Sequence, residues 1–176
     1  MPTASLRQYP PFINADIFTN SHRFSAKIPL YNRALGDSLN DRLTDYLEAR
    51  QVYVSRINRP GEIVGTYKLV SLIKRHITFV MLSVESEGLS QEHKYNAFSK
   101  SNEEVFITLP SFEITGRFQI IGKFDLKAIL TVGSNKFMPI FKAKAVNAKY
   151  PEVNFEAPVI LVNKEAMALF SVIGQG

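Results

Sequence analysis

Arg56 and Arg59 stand close together in SRINRPGE, and Lys142, Lys144 and Lys149 follow one another in FKAKAVNAK. Cations so spaced suit phosphate oxygens, because Lys142 and Lys144 project from one side of an extended chain. Tyr53, Tyr67 and Tyr150 supply rings on which an exposed base could stack. Polyanion contact, to RNA or single-stranded DNA, is one use of such residues. Charge that solvates strand faces and protects sheet edges is the other and the more usual one.

The remaining reactive side chains form no recognisable constellation. His22, His76 and His93 are the three imidazoles, and no paired-His spacing or HExxH motif joins them. Asp37, Asp41, Asp45 and Glu48 form the densest carboxylate group. Helix capping and a short-range pair between Arg42 and Asp45 account for it without a metal. GxSxG, GxGxxG and phosphate-loop patterns are missing from the sequence. The expectation is therefore no catalytic residue, no metal ligand and no cofactor, with an enzyme of unrecognised site as a third reading. Cysteine is absent, which removes disulfides, thiolate nucleophiles and sulfur-rich metal sites.

The elements that must position these residues read as mainly β. The 13 Phe and 7 Tyr are spread over many short apolar segments instead of a few long helical ones. Net charge is +5, with eleven basic and eight acidic residues in 1–88 against ten and eight in 89–176, so no tail or block concentrates it. No apolar stretch has transmembrane length, and MPTASLRQYPPF lacks a signal-peptide pattern, so a cytoplasmic location is expected.

HRFSAKI, residues 22–28, is echoed by FEITGRF, residues 112–118. Phe24 aligns with Ile114, Ser25 with Thr115, Ala26 with Gly116, Lys27 with Arg117 and Ile28 with Phe118, each keeping its physical character. A helical turn is predicted over residues 40–49, from Leu39, Leu43, Tyr46 and Leu47, and another around Leu126, Ile129 and Leu130. Val52-Tyr53-Val54 is matched with the strand start at Phe137–Ile140, where Pro139 suggests an edge or an irregularity. HITFVMLSVE and EAPVILVNKE are read as corresponding strands that close each half, and Pro60-Gly61 as a turn.

A first small β-barrel is thus expected over residues 10–85, a polar linker over 86–102 and a second barrel over 103–172. Closure into strongly bent barrels removes sheet edges, and an OB-fold is the nearest competitor. With RLTDYL at residues 42–47 set between a first hairpin and later strands, this order resembles uncharacterised bacterial proteins with Sm-like small β-barrels. The resemblance covers most of residues 13–84, while the second half carries FDLKAIL in place of the Asp-containing turn. It implies architecture and a tendency to form oligomers.

Units of about 70 residues have small cores and gain by burying surface against a sibling or another chain. A non-catalytic structural or adaptor subunit is the leading expectation, working by protein–protein contacts in an oligomer or larger complex. Phe12, Ile13, Met167, Leu169 and Phe170, in the terminal apolar segments, are its candidate partner-binding residues. The alternative is a nucleic-acid binding module using Arg56, Arg59, Lys142, Lys144 and Lys149.

Overall fold

The computed structural model describes residues 9–89, 100–121, 125–131 and 135–174. Alternation dictates its first element: Ile13, Ala15 and Ile17 turn to one face and are buried, giving β1 (Phe12–Phe18). It turns into β2 (His22–Pro29), which leads to a short helix α1 (Leu35–Asn40). β3 (Tyr46–Arg56) and β4 (Arg59–Ile73) form a long hairpin, followed by a 3₁₀ turn (Lys74–His76) and the wholly buried β5 (Phe79–Leu82). After α2 (Glu85–Gly88) come β6 (Lys100–Leu109), β7 (Phe112–Ile121), α3 (Leu126–Thr131), β8 (Phe137–Asn147) and β9 (Asn154–Asn163). A second 3₁₀ turn (Lys164–Ala166) precedes β10 (Leu169–Val172).

The fold is mainly β, and its ten strands make one antiparallel sheet in the order β10-β6-β7-β8-β9-β5-β1-β2-β3-β4. Strand five, then one, two, three and four, is the order within β1–β5, and the same order holds within β6–β10. The registers agree as well. Ile13↔Ile28 in the first hairpin corresponds to Glu103↔Phe118 in the second, a shift of 90 residues on both strands. Phe18↔Phe79 corresponds likewise to Thr108↔Leu169. On β3 and β8 the shift is 91, so Phe24↔Val54 answers to Ile114↔Ala145 and Ala49↔Val70 to Ile140↔Ile160. Both ladders slip at the same place, between Ser25 and Lys27 and between Thr115 and Arg117.

Several sequence expectations change. The helix ends at Asn40, and residues 42–47 form a turn and the start of β3, because Leu43 is 93% exposed and has no core to face. The tight turn lies at Ile57-Asn58, while Pro60 and Gly61 lie in β4 within a bulge between Arg59 and Ile63. Val52 answers to Ala143 by register, not to the start of β8. Pro139 sits in an interior strand, but it pairs only with Leu161 of β9, beyond the last residue of β8 paired to β7. The runs HITFVMLSVE and EAPVILVNKE are neighbours instead of counterparts: β5 pairs with β9 through Phe79↔Val162 and Leu82↔Val159. That pairing joins the two expected barrels into one continuous sheet. Of the expected linker, 90–99 lies outside the described residues, α2 falls at its start and β6 begins within it.

Side chains gather into two cores that exchange members. The first is built mostly from residues 9–89 and takes in Phe137, Phe141, Val159 and Leu161; the second, mostly from 105–172, takes in Phe18, Phe79 and Met81. Phe18 and Phe79 stack with ring centroids 4.3 Å apart, and both meet the edge of Phe112, at 5.5 and 5.1 Å. Burying each such ring contributes roughly 1.5–3 kcal/mol, with an increment of about 0.5–1.5 kcal/mol for aromatic pairing. The β5–β9 seam is accordingly packed like the interior of a domain.

Candidate functional site

The carboxylate group dissolves into local structure. Asp41 follows the end of α1, so it shares no helix face with Asp45. Its side chain accepts from the Leu43 N–H at 2.9 Å and from Arg33 Nη1 at 3.0 Å, and these bonds hold the carboxyl below its ordinary range. Glu48 pairs with Arg50 at 2.8 Å. The imidazoles are dispersed: His22 Nδ1 lies 2.8 Å from Ser21 Oγ, His76 Nε2 is 3.2 Å from Arg75 Nε, and His93 lies outside the described residues. Among the described residues no three His, Asp or Glu side chains gather at metal-binding distance.

Lys74, a residue of the basic pair before β5, is buried. Its ammonium donates to the Asp41 carbonyl at 3.0 Å, the Thr44 carbonyl at 2.9 Å and Thr44 Oγ1 at 3.0 Å, using all three protons to fasten the chain beyond α1. Lys164, one shift of 90 further on, donates to the Ile129 carbonyl of α3 at 3.1 Å. Burial lowers both ammonium pKa values. Nothing in the sequence distinguishes these two lysines from surface ones, because only the fold turns them inward.

The candidate polyanion residues separate into groups. Arg59 is exposed and pairs with Glu62 at 3.7 Å, while Lys144 pairs with Glu156 across the β8–β9 ladder at 3.5 Å. Lys142 is exposed beside Lys144 and has a backbone φ of 47°. Arg56 and Lys149 come together, far apart in sequence, on the rim of a depression of about 400 Å³ that Tyr150 also lines. Tyr53 faces a different cleft of about 590 Å³, where Asp16 accepts from Arg23 Nε at 3.1 Å and from Ser25 Oγ. Tyr67 is exposed on β4.

The candidate partner-binding residues lie in two places. Phe12 is half-exposed with the Arg50 guanidinium 5.6 Å from its ring centroid, and Ile13 is buried in the first core. Met167 and Phe170 pack against the second core, with Phe170 edge-on to Phe118 at 5.7 Å, whereas Leu169 is exposed on β10.

The outer strands carry a feature that the sequence reading missed. Among the described residues β4 bonds only to β3 and β10 only to β6. Along β4 the apolar side chains of Ile63, Val64, Tyr67, Leu69 and Ile73 are all exposed. A fifteen-residue strand of this kind offers a row of unpaired N–H and C=O groups beside apolar surface. The signal was present in IVGTYKLVSLI, where the apolar residues are too frequent for a solvated loop.

No helix among the described residues is long and apolar enough to cross a membrane. Comparison of the chain with protein-family models, with curated proteins and with solved structures finds no match.

Proposed function

We propose that the chain is a non-catalytic structural or adaptor subunit that assembles head to tail through its outer strands, each copy contributing two similar five-stranded units. The observation that carries this reading is the agreement of register between residues 12–82 and 100–172. In those terms the β5–β9 seam is strand five of one unit paired with strand four of the other. The same two strands end the sheet, as β10 and β4, each with an outer edge that no described strand pairs. A second copy can therefore repeat the internal seam.

The internal register specifies the contact. Phe79↔Val162 translates to Leu169↔Leu72, and Met81↔Ile160 to Ser171↔Val70. Pairing would cover Leu169 and the exposed Leu69 and would satisfy backbone groups on both edges. Because the joined surfaces differ, the contact is heterologous and repeats into a ring or a filament. The Sm-like resemblance points the same way, since it implies small bent barrels that associate.

The test uses the lack of native cysteine. Val70→Cys and Ser171→Cys single variants are mixed and oxidised, and native mass is measured over a concentration series. A disulfide between the two variants and a mass above the monomer are expected, since directly opposed strand positions lie within disulfide reach. A monomer at every concentration, with no cross-link, rejects the assembly.

A further inference from the structure

Four connections from the two halves meet at one end of the sheet. The Ile57 N–H donates to the Ser21 carbonyl at 3.1 Å, tying the β3–β4 turn to the β1–β2 turn. The Ala148 N–H donates to the Ser111 carbonyl at 3.0 Å, tying the β8–β9 connection to the β6–β7 turn in the same way. Ser111 Oγ donates to the Asn20 carbonyl at 3.1 Å and links one pair of connections to the other. The depression of about 400 Å³ lies among them, so its walls are backbone held by hydrogen bonds from both halves.

Its lining is one-signed. Arg56 and Lys149 lie on it with His22 and Tyr150, and among the described residues no carboxylate does. Arg59 and Lys144 have acidic partners elsewhere, but Arg56 forms no ion pair among the described residues. The Lys149 ammonium lies 5.4 Å from the Tyr150 ring centroid, which leaves its protons available to an acceptor. Two cations at a concave surface without a counter-charge attract an anion and gain strength from the low-dielectric walls.

We propose that this depression binds a phosphate ester of nucleotide size. The Arg56 guanidinium offers a planar fork that matches phosphate oxygens, Lys149 adds a point charge, and the Tyr150 ring forms a wall for the base or sugar. The volume lies in the range of small-ligand sites, roughly 300–1,000 Å³. A free nucleotide and one nucleotide of a single strand present the same chemistry. The site is independent of the outer-strand assembly and stands or falls separately.

Binding is measured at low salt with adenosine monophosphate and with a labelled oligouridylate, using inorganic phosphate as competitor. Saturable binding of either is expected, weakened about tenfold or more by Arg56→Glu and by Lys149→Glu. Lys142→Glu and Lys144→Glu, five and three residues back along β8 from Asn147 and lining a separate depression, should leave it within about twofold. Arg56→Gln and Lys149→Gln carry the same reading should a charge reversal disturb folding. Tighter binding of the oligonucleotide identifies a strand as the source, and equal binding identifies the free nucleotide. No saturation by about 1 mM of either probe, or full binding in the Arg56 and Lys149 variants, overturns the proposal.

Discussion

Gly116 lies against Ile140 so closely that a Cβ on the glycine would stand 2.6 Å from Ile140 Cγ2. The corresponding residues of the first half are Ala26 and Ala49. A methyl group absent from one strand is thus matched by bulk on the next, as a fixed gap between two strands requires. Gly116→Ala should cost about 1–3 kcal/mol by overpacking. Chemical denaturation of the single variants and the pair will show a smaller cost in the Ile140→Ala background. Equal cost in both backgrounds would mean that the carbonyl of Phe141, 2.9 Å from the same point, sets the limit.

Gln51 and Lys142 occupy one position in two ladders, and each has a left-handed backbone, with φ of 49° and 47°. Each lies where its strand has one residue more than the strand before it, Arg50–Tyr53 facing Ser25–Lys27 of β2 and Phe141–Lys144 facing Thr115–Arg117 of β7. Left-handed geometry costs a side chain with Cβ about 1 kcal/mol, and a β-branched one more. Gln51→Gly and Lys142→Gly should therefore be neutral or stabilising, by up to about 1 kcal/mol, while Gln51→Val and Lys142→Val should lower the melting temperature. Valine tolerated at both positions would show that the bulge is absent in solution.

This pair also shows how far the sequence could be read. Alternation exposed the strands, and the shared characters of Phe24 with Ile114 and Ala26 with Gly116 exposed one hairpin of each half. The correspondence was lost beyond it because the shift changes from 90 to 91 and because counterpart strands are buried to different extents. β9 is covered by β5 and reads Val-Ile-Leu-Val, whereas its counterpart β4 is an outer strand and reads Leu-Val-Ser-Leu. Apolarity followed the neighbour and not the position, so β9 resembled β5, the strand it touches. The depression at Arg56 and Lys149 was illegible for another reason: its residues come from four connections that only the β5–β9 seam brings together.

Phe18 tests the seam itself. It belongs to β1 yet packs in the core of the second half, between Phe79 and Phe112. Phe18→Ala should destabilise the chain by about 3–5 kcal/mol. Hydrogen exchange should show protection lost on both β6–β7 and β1–β5, because the ring supports both. Loss confined to residues 12–82 would mean that the halves unfold separately.

Lys74 couples stability to pH. Burial holds its ammonium pKa below the ordinary lysine range, so the unfolded chain binds more protons in the interval between the two values. Stability from this group rises with pH across that interval and is lower, by a constant amount, at more acid pH. Lys164 carries the same sign. Urea denaturation followed upward from neutral pH to the ordinary lysine range, about 10.4, should show an upward contribution that is reduced in Lys164→Met. Lys74→Met removes the slope too, but it also strands the carbonyls of Asp41 and Thr44 and should cost about 1–3 kcal/mol at neutral pH. An unchanged slope in both variants would show that neither ammonium is desolvated.

The outer strands provide a prediction that separates assembly from folding. Leu69 is 64% exposed on β4, with no described residue covering it, so Leu69→Lys should change the stability of the isolated chain by no more than about 1 kcal/mol. In a repeated β5–β9 seam the same residue lies opposite Val172 of the next copy, where an added charge is desolvated without a partner. Leu69→Lys and Leu169→Lys, one on each outer strand, should then each lower the native mass to that of a monomer. Each variant still carries one intact edge, so mixing the two should recover dimers and nothing larger. Recovery of longer assemblies from the mixture would place the contact elsewhere on the surface, because head-to-tail pairing allows each such pair only one productive junction.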